Sequence, residues 1–98
     1  MNNGSMRKSI AMDVVIGRDG KRCFYCGRVT IKRRRTSGGK LPSDTATLDH
    51  VTPVSDGGSN NSENLVLACV ACNGKRGNTD FIYFGIKAIV ELIRRAIR

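Results

Sequence analysis

The sequence predicts a small α+β fold: two short strands paired as a hairpin, a short helix after them, and a flanking helix at each end, stapled by a four-cysteine metal site. Three observations lead there. Four cysteines fall into two C-x-x-C pairs, Cys23/Cys26 and Cys69/Cys72. Two β-prone runs, "TATLDHV" and "LVLA", lie between the pairs, separated by the turn-rich stretch "SDGGSNNSEN". The segment "DFIYFGIKAIVELIRRAIR" repeats apolar residues at helical spacing.

The elements follow in order. Residues 1–6, "MNNGSM", are polar and flexible in composition, and residues 7–98 are expected to form one domain. Residues 7–19 fit a short helix with Ile10, Val14 and Ala11 on one face. Gly27 suits the positive φ of a tight metal-binding turn. Residues 29–44 read as a short strand running into a basic loop, Lys32-Arg33-Arg34-Arg35, broken by Gly38-Gly39 and Pro42. That charge run either meets phosphate directly or is a solvated surface. Residues 45–51 and 65–68 are the hairpin strands. After Cys69, about two helical turns end at Gly77. In the last helix, about 80–97, Asp80 or Thr79 caps the start. Ile82, Ile86, Ile89, Val90, Ile93 and Ile97 line one face, expected to pack inward. Arg94, Arg95 and Arg98 sit where the helix dipole favours cations.

A chain of 98 residues without tryptophan builds a modest core, so a covalent or metal staple is expected. Two residues between thiolates let one turn present both sulfurs to a tetrahedral ion, which favours structural Zn²⁺. Two disulfides are the alternative, and they require an oxidising compartment. The stretch "IAMDVVIG" is too short for a signal peptide and is broken by Asp13, so a cytoplasmic chain is expected. Nothing approaches the ~20 apolar residues of a membrane span. Seventeen Lys and Arg against eight Asp and Glu give a net charge of +9, which suits a polyanionic partner, most simply nucleic acid.

Between and beside the cysteine pairs lie Asp49, His50, Asn64 and Asn73, in the segment "LDHVTPVSDGGSNNSENLVLACVACNGKRGN". The "DH" with a proline three positions after the histidine, the "GG" loop, "NL", then "CxxCN" and a basic turn occur in order. This segment, within about residues 22–78, resembles the HNH endonuclease family, the ββα-metal or His-Me finger nucleases, in its zinc-containing type. The resemblance implies a hairpin-and-helix unit that binds one catalytic metal ion and hydrolyses phosphodiester bonds of DNA. His50 would be the general base. Asp49 and Asn73 would hold the ion, and Asn64 would brace the long loop and orient the histidine backbone.

The chemistry of these groups agrees. A neutral imidazole accepts a proton near pH 7, and such general-base help is worth about 10²–10⁴-fold. A carboxylate and an amide oxygen suit Mg²⁺ or Mn²⁺. Some family members carry another histidine ligand on the helix. Here that position is Gly77, which again favours Mg²⁺ or Mn²⁺ held partly by water. Neighbours on a regular strand point to opposite faces. A joint role for Asp49 and His50 therefore predicts a distortion at residues 49–51 that breaks strand alternation, with Pro53 shortly after favouring irregular backbone, and a flat strand there would count against the role. Lys75 and Arg76, like Lys32, Arg33, Arg34 and Arg35, are candidate phosphate contacts.

The expected partner is DNA, double-stranded, with no membrane. A protein partner or a homodimer could form through the C-terminal helix. Two other readings compete. One is a non-catalytic zinc module that binds nucleic acid. The other is an accessory subunit of a larger machine, such as phage DNA packaging.

Overall fold

The computed structural model describes residues 7–34, 39–77 and 79–97, without the side chains of Ala88, Glu91, Leu92 and Arg95. The expectations for residues 1–6, Arg35, Arg98 and the Arg95 side chain lie outside these residues. The order is α1 (Lys8–Asp19), β1 (Ala46–His50), β2 (Leu65–Cys69), α2 (Val70–Arg76) and α3 (Phe81–Ala96). Two 3-10 turns, Val54–Asp56 and Ser62–Asn64, shape the loop between the strands. The strands pair antiparallel, with Ala46 opposite Cys69 and His50 opposite Leu65. This is the expected small α+β fold, a hairpin followed by a short helix.

Every residue of β2 is buried, because both faces of the hairpin are covered. On one face Ala46, Leu65 and Leu67, with Leu48, pack against Ala11 and Val15 of α1, flanked by Met12 and Ile16. On the other, Val66 and Ala68 meet Tyr25 and Cys23, with Phe81 and Phe84 of α3 alongside. Arg18 ties α1 to the end of the loop, donating to the carbonyls of Ser62 (2.8 Å) and Leu65 (2.9 Å).

Three expectations need correction. The inward face of α1 is Ala11 and Val15; Ile10 and Val14 are exposed. The small Ala11 lets the helix approach the hairpin closely, and the larger residues flank the contact. The described residues of the 29–44 stretch form no strand. Val29 and Ile31 make single bridges, to Arg22 and Thr45, and the chain then leaves the sheet. The aliphatic stripe of α3 does not pack inward: Ile82, Ile86, Ile89, Val90, Ile93 and Ile97 are between 41% and 77% exposed. Both hairpin faces are already occupied, so α3 is anchored near its start. There Asp80 accepts from the backbone N–H of Ile82 (3.1 Å) and Tyr83 (3.2 Å), as a cap should. Phe81 and Phe84 set their rings against Tyr25 at 6.0 and 4.9 Å.

The two C-x-x-C pairs converge. Their four Sγ atoms lie within 4.8 Å of one another, and all four cysteines are free thiols. Cys26 Sγ and Cys69 Sγ are 3.9 Å apart. A tetrahedral Zn²⁺ with Zn–S bonds of about 2.3 Å places its sulfurs about 3.8 Å apart, so the donor set and its spacing fit zinc. Gly27 (φ 79°) closes the first knuckle, as its turn requires. Backbone N–H groups of Tyr25 and Cys72 donate to the sulfurs of Cys23 and Cys69, each at 3.4 Å. Burial pushes the thiols of Cys69 and Cys72 up, and neighbouring thiolates push Cys72 further. Burial also acts on Cys26, but the Arg28 backbone N–H and the other thiols outweigh it and bring Cys26 down to about 7. Four thiols this close resist shared ionisation unless a cation balances them.

Three outcomes follow from this packing. Removing the metal with a strong chelator, or making Cys72→Ser, should abolish cooperative thermal unfolding followed by circular dichroism, since structural zinc contributes about 10–16 kcal/mol of apparent binding energy to folding. Truncating Leu67, which is 2% exposed, to Ala should cost about 2–5 kcal/mol in urea denaturation. Ile86→Ala, on the exposed face of α3, should stay within about 0.5 kcal/mol of the parent.

Candidate active site

The helix α2 lies along the open edge of β1. The Val51 N–H bonds the Asn64 carbonyl and the Ala46 N–H bonds Ile31, so Leu48 and His50 turn their backbone groups away from β2. Asn73 and Arg76 are three apart and share one side of α2. Asn73 Nδ2 donates to Thr47 Oγ1 (3.0 Å) and the Leu48 carbonyl (3.4 Å). Arg76 donates to the carbonyls of His50 (2.6 Å) and Val51 (3.3 Å). Two side chains thus satisfy the edge that a two-stranded sheet would leave open.

Asp49 is buried on the face covered by the first cysteine knuckle and α3. Its Oδ2 accepts from the Tyr25 hydroxyl and from Arg76 Nη1 at 2.8 Å. Arg76 is itself buried. It reaches the Thr79 carbonyl with Nε (2.9 Å) and lies 5.4 Å from the centre of the Phe81 ring. Burial and the bond to Asp49 push the Tyr25 hydroxyl far up, so it remains a donor. Burial works against the Arg76 charge, but Asp49 more than compensates and raises it. No described group donates to Asp49 Oδ1, and among the described residues no sealed side-chain oxygen or nitrogen lacks a partner. Oδ1 therefore keeps some contact with solvent. Asn73 Oδ1 likewise carries no described bond. Asn73 contacts Thr47 and Leu48, and Thr47 shares its face of β1 with Asp49, two residues on.

His50 ends the strand. Pairing is regular through it, and the chain bends only at Val51 and Thr52. The expected distortion at residues 49–51 is a correction: the backbone is regular at Asp49 and His50, the strand ends there, and only Val51 and Thr52 bend. Alternation at 49 and 50 is kept. Asp49 meets Tyr25 and Arg76, while His50 Nε2 lies 2.8 Å from Asn60 Oδ1 in the loop.

That loop is held by Asn64. Its Oδ1 accepts from the Thr52 N–H (2.9 Å), and its Nδ2 donates to the carbonyls of Thr52 (2.9 Å) and Ser59 (2.8 Å). The "GG" pair has two separate reasons. Gly57 takes a left-handed turn (φ 90°). A Cβ on Gly58 would lie 1.8 Å from the Thr52 carbonyl oxygen, so the loop closes only around glycine there.

The basic candidates divide. Lys75 and Arg34 are exposed. Lys32 and Arg33 carry surface ion pairs to Asp13 and Asp44, each at 2.6 Å. Such pairs are worth about 0–1 kcal/mol and exchange readily for phosphate. Lys8, Lys32 and Arg33 line a cleft of about 470 Å³ with Thr47, Leu48 and Asn73. Arg76 is a correction. It is only 4% exposed, and its guanidinium is committed to protein acceptors, so it does not present itself to phosphate. Sequence reasoning missed Tyr25, Asn60 and the role of Arg76. Tyr25 stands inside "CFYC", where spacing draws attention only to the cysteines.

Among the described residues no helix is long and apolar enough to cross a membrane. No solved structure matches the chain. The chain is 30% identical over 77 residues to the CRISPR-associated endonuclease Cas9 of Corynebacterium diphtheriae, covering 78% of this chain and 6% of that protein. It is 35% identical over 66 residues to the CRISPR-associated endonuclease Cas9 of Actinomyces naeslundii, covering 66% of this chain and 5% of that protein. The family model for HNH endonuclease matches residues 23–79, more than half of the chain. With the hairpin, the short helix and the four-cysteine cluster at those positions, the chain belongs to the HNH endonuclease family.

Proposed function

We propose that this protein is a divalent-metal-dependent endonuclease that hydrolyses phosphodiester bonds of double-stranded DNA. The observation that carries the reading is the division of groups at the end of β1. His50 and Asp49 turn to opposite faces where β1 ends, and α2 sets Asn73 against the strand edge at Thr47 and Leu48.

Hydrolysis of a phosphodiester proceeds in line, with water entering opposite the departing oxygen. The residue that takes the proton and the residues that serve the leaving side therefore belong on different sides of the phosphorus. With Asn60 Oδ1 accepting from Nε2, the neutral imidazole keeps its lone pair on Nδ1. Nδ1 is then the atom that takes the proton from water. Asp49 Oδ1 and Asn73 Oδ1 are hard oxygen donors without a described partner, and by their chemistry they would suit Mg²⁺ or Mn²⁺ with water completing the shell. Such an ion supplies charge compensation at the phosphoryl and leaving oxygens. Asn64 and Gly58 keep the loop closed so that Asn60 stays beside His50. Lys8, Lys32 and Arg33 at the cleft next to Asn73 suit the phosphates flanking the cut. Zinc at the cysteines is structural and holds α2 in place.

The exposed aliphatic face of α3 favours a second, compatible reading, in which the nuclease works within a larger assembly or as a homodimer docked through that helix. Cross-linking of the parent and an Ile89→Glu variant distinguishes an assembled from a monomeric enzyme.

The test of the activity is plasmid nicking by purified protein with Mg²⁺ or Mn²⁺, with and without EDTA. His50→Ala should slow nicking by about 10²–10⁴-fold while DNA affinity and the melting temperature stay near the parent values. Nicking by His50→Ala at the parent rate would refute the assignment of the base. Metal-independent DNA binding without any cleavage by the parent protein would favour the non-catalytic module. For binding, the logarithm of affinity should fall with the logarithm of salt by about 0.9 per duplex phosphate neutralised.

A further inference from the structure

The mechanism above leaves two buried polar groups without a part in the chemistry, Tyr25 and Arg76. Both end on the same atom. The Tyr25 hydroxyl and Arg76 Nη1 donate to Asp49 Oδ2, and no described donor meets Oδ1. An ionised carboxylate accepts on both oxygens, so the asymmetry is imposed by the surroundings. Neither donor is free to leave. Tyr25 is 2% exposed, wedged among Phe24, Phe81 and Phe84. Arg76 is pinned by the carbonyls of His50, Val51 and Thr79 as well as by Asp49.

We propose that Tyr25 and Arg76 are positioning residues that fix Asp49 as a one-oxygen ligand, reserving Oδ1 for a divalent cation and denying that cation a two-oxygen grip. The inference rests on the reading of Asp49 as a ligand of the catalytic ion. Its consequence is selectivity. Ca²⁺ takes six to eight oxygens in flexible shells and often draws both oxygens of a carboxylate. Mg²⁺, which keeps several waters, and the similarly hard Mn²⁺ accept single oxygens from one or two carboxylates. With Oδ2 held by two donors, the site serves the second class. Arg76 also balances the Asp49 charge, which keeps the ion reversibly bound and electrophilic.

The test measures binding, apart from cleavage. Mn²⁺ affinity is read by electron paramagnetic resonance on zinc-loaded protein, and Ca²⁺ affinity by competition. Tyr25→Phe removes one donor from Oδ2 with little change in shape or charge. It should weaken Mn²⁺ binding about 10-fold, within the range for lost outer hydrogen bonds, and lower the preference for Mn²⁺ over Ca²⁺. Its zinc content and circular dichroism should stay those of the parent. If Tyr25→Phe does not fold, Arg76→Lys serves instead, since it keeps the charge and loses the fork, and the same shift is expected. Asp49→Asn separates the two levels of the argument. If Asp49→Asn loses Mn²⁺ and the positioning variant keeps both affinities, the positioning role is overturned and the ligand role stands. If Asp49→Asn binds Mn²⁺ as the parent does, both are overturned.

Discussion

The guanidinium of Arg76 is the interaction on which the rest of this structure depends. It joins the end of α2 to the Asp49 carboxylate, to the carbonyls of His50 and Val51 where β1 stops, and to Thr79 just before α3. Burying a charged pair is costly, and such a pair contributes little net stability compared with a well-packed apolar substitute. Its value is geometric. A leucine at position 76 could fill the space but could not satisfy two carbonyls at the strand end and a carboxylate on its face. Removing one partner would leave the other charge buried, at a cost of about 3–5 kcal/mol. The cluster thus makes β1 end where it does, with His50 as its last residue.

The cysteine cluster does the matching work at the other end of α2. Cys69 closes β2 and its sulfur caps the helix start, accepting from the Cys72 N–H. A helix of seven residues is too short to hold itself together in water. It persists because the cysteine cluster fixes its first turn and Arg76 fixes its last. Asn73 lies between the two anchors, and its amide meets Thr47 and the Leu48 carbonyl. A small core could not by itself place an amide this closely against a strand edge. Two local anchors, one at each end of α2, can.

Much of this was legible in the sequence, and the limits were physical. The strands, the short helix and its Gly77 stop are written in local patterns, and so is the Asp80 cap. The cysteine spacing gave the metal cluster, and the ordered "DH", "GG" and "CxxCN" gave the family. What could not be read depended on which surface meets which. The Ile stripe of α3 states that the helix has an apolar face; it does not state that the hairpin has a free face to receive it. Arg76 and Lys75 are indistinguishable as letters, yet one faces the hairpin and the other water, because only position 76 falls on the side of α2 that Asn73 also occupies. Tyr25 becomes meaningful only when the first knuckle folds back onto β1. The one-residue rotation of α1 turned on Ala11, whose small size is a packing advantage that hydrophobic periodicity counts as weakness.

The strand alternation at Asp49 and His50 first reads as an obstacle to a shared site. It is one only if both side chains must touch the same atom. A displacement at phosphorus has two ends, an attacking oxygen and a departing one, about 180° apart. Neighbouring strand residues diverge by a similar angle. A pair of adjacent residues at the end of a strand is therefore a compact way to reach both ends of the reaction, provided that the phosphate lies at the strand terminus and not over either face. The chain bends at Val51 and Thr52, and Asn64 with Gly58 closes the returning loop beside that terminus in a fixed shape. Regular backbone at 49 and 50 is then a condition of the proposed chemistry, and the irregularity is needed only one residue later.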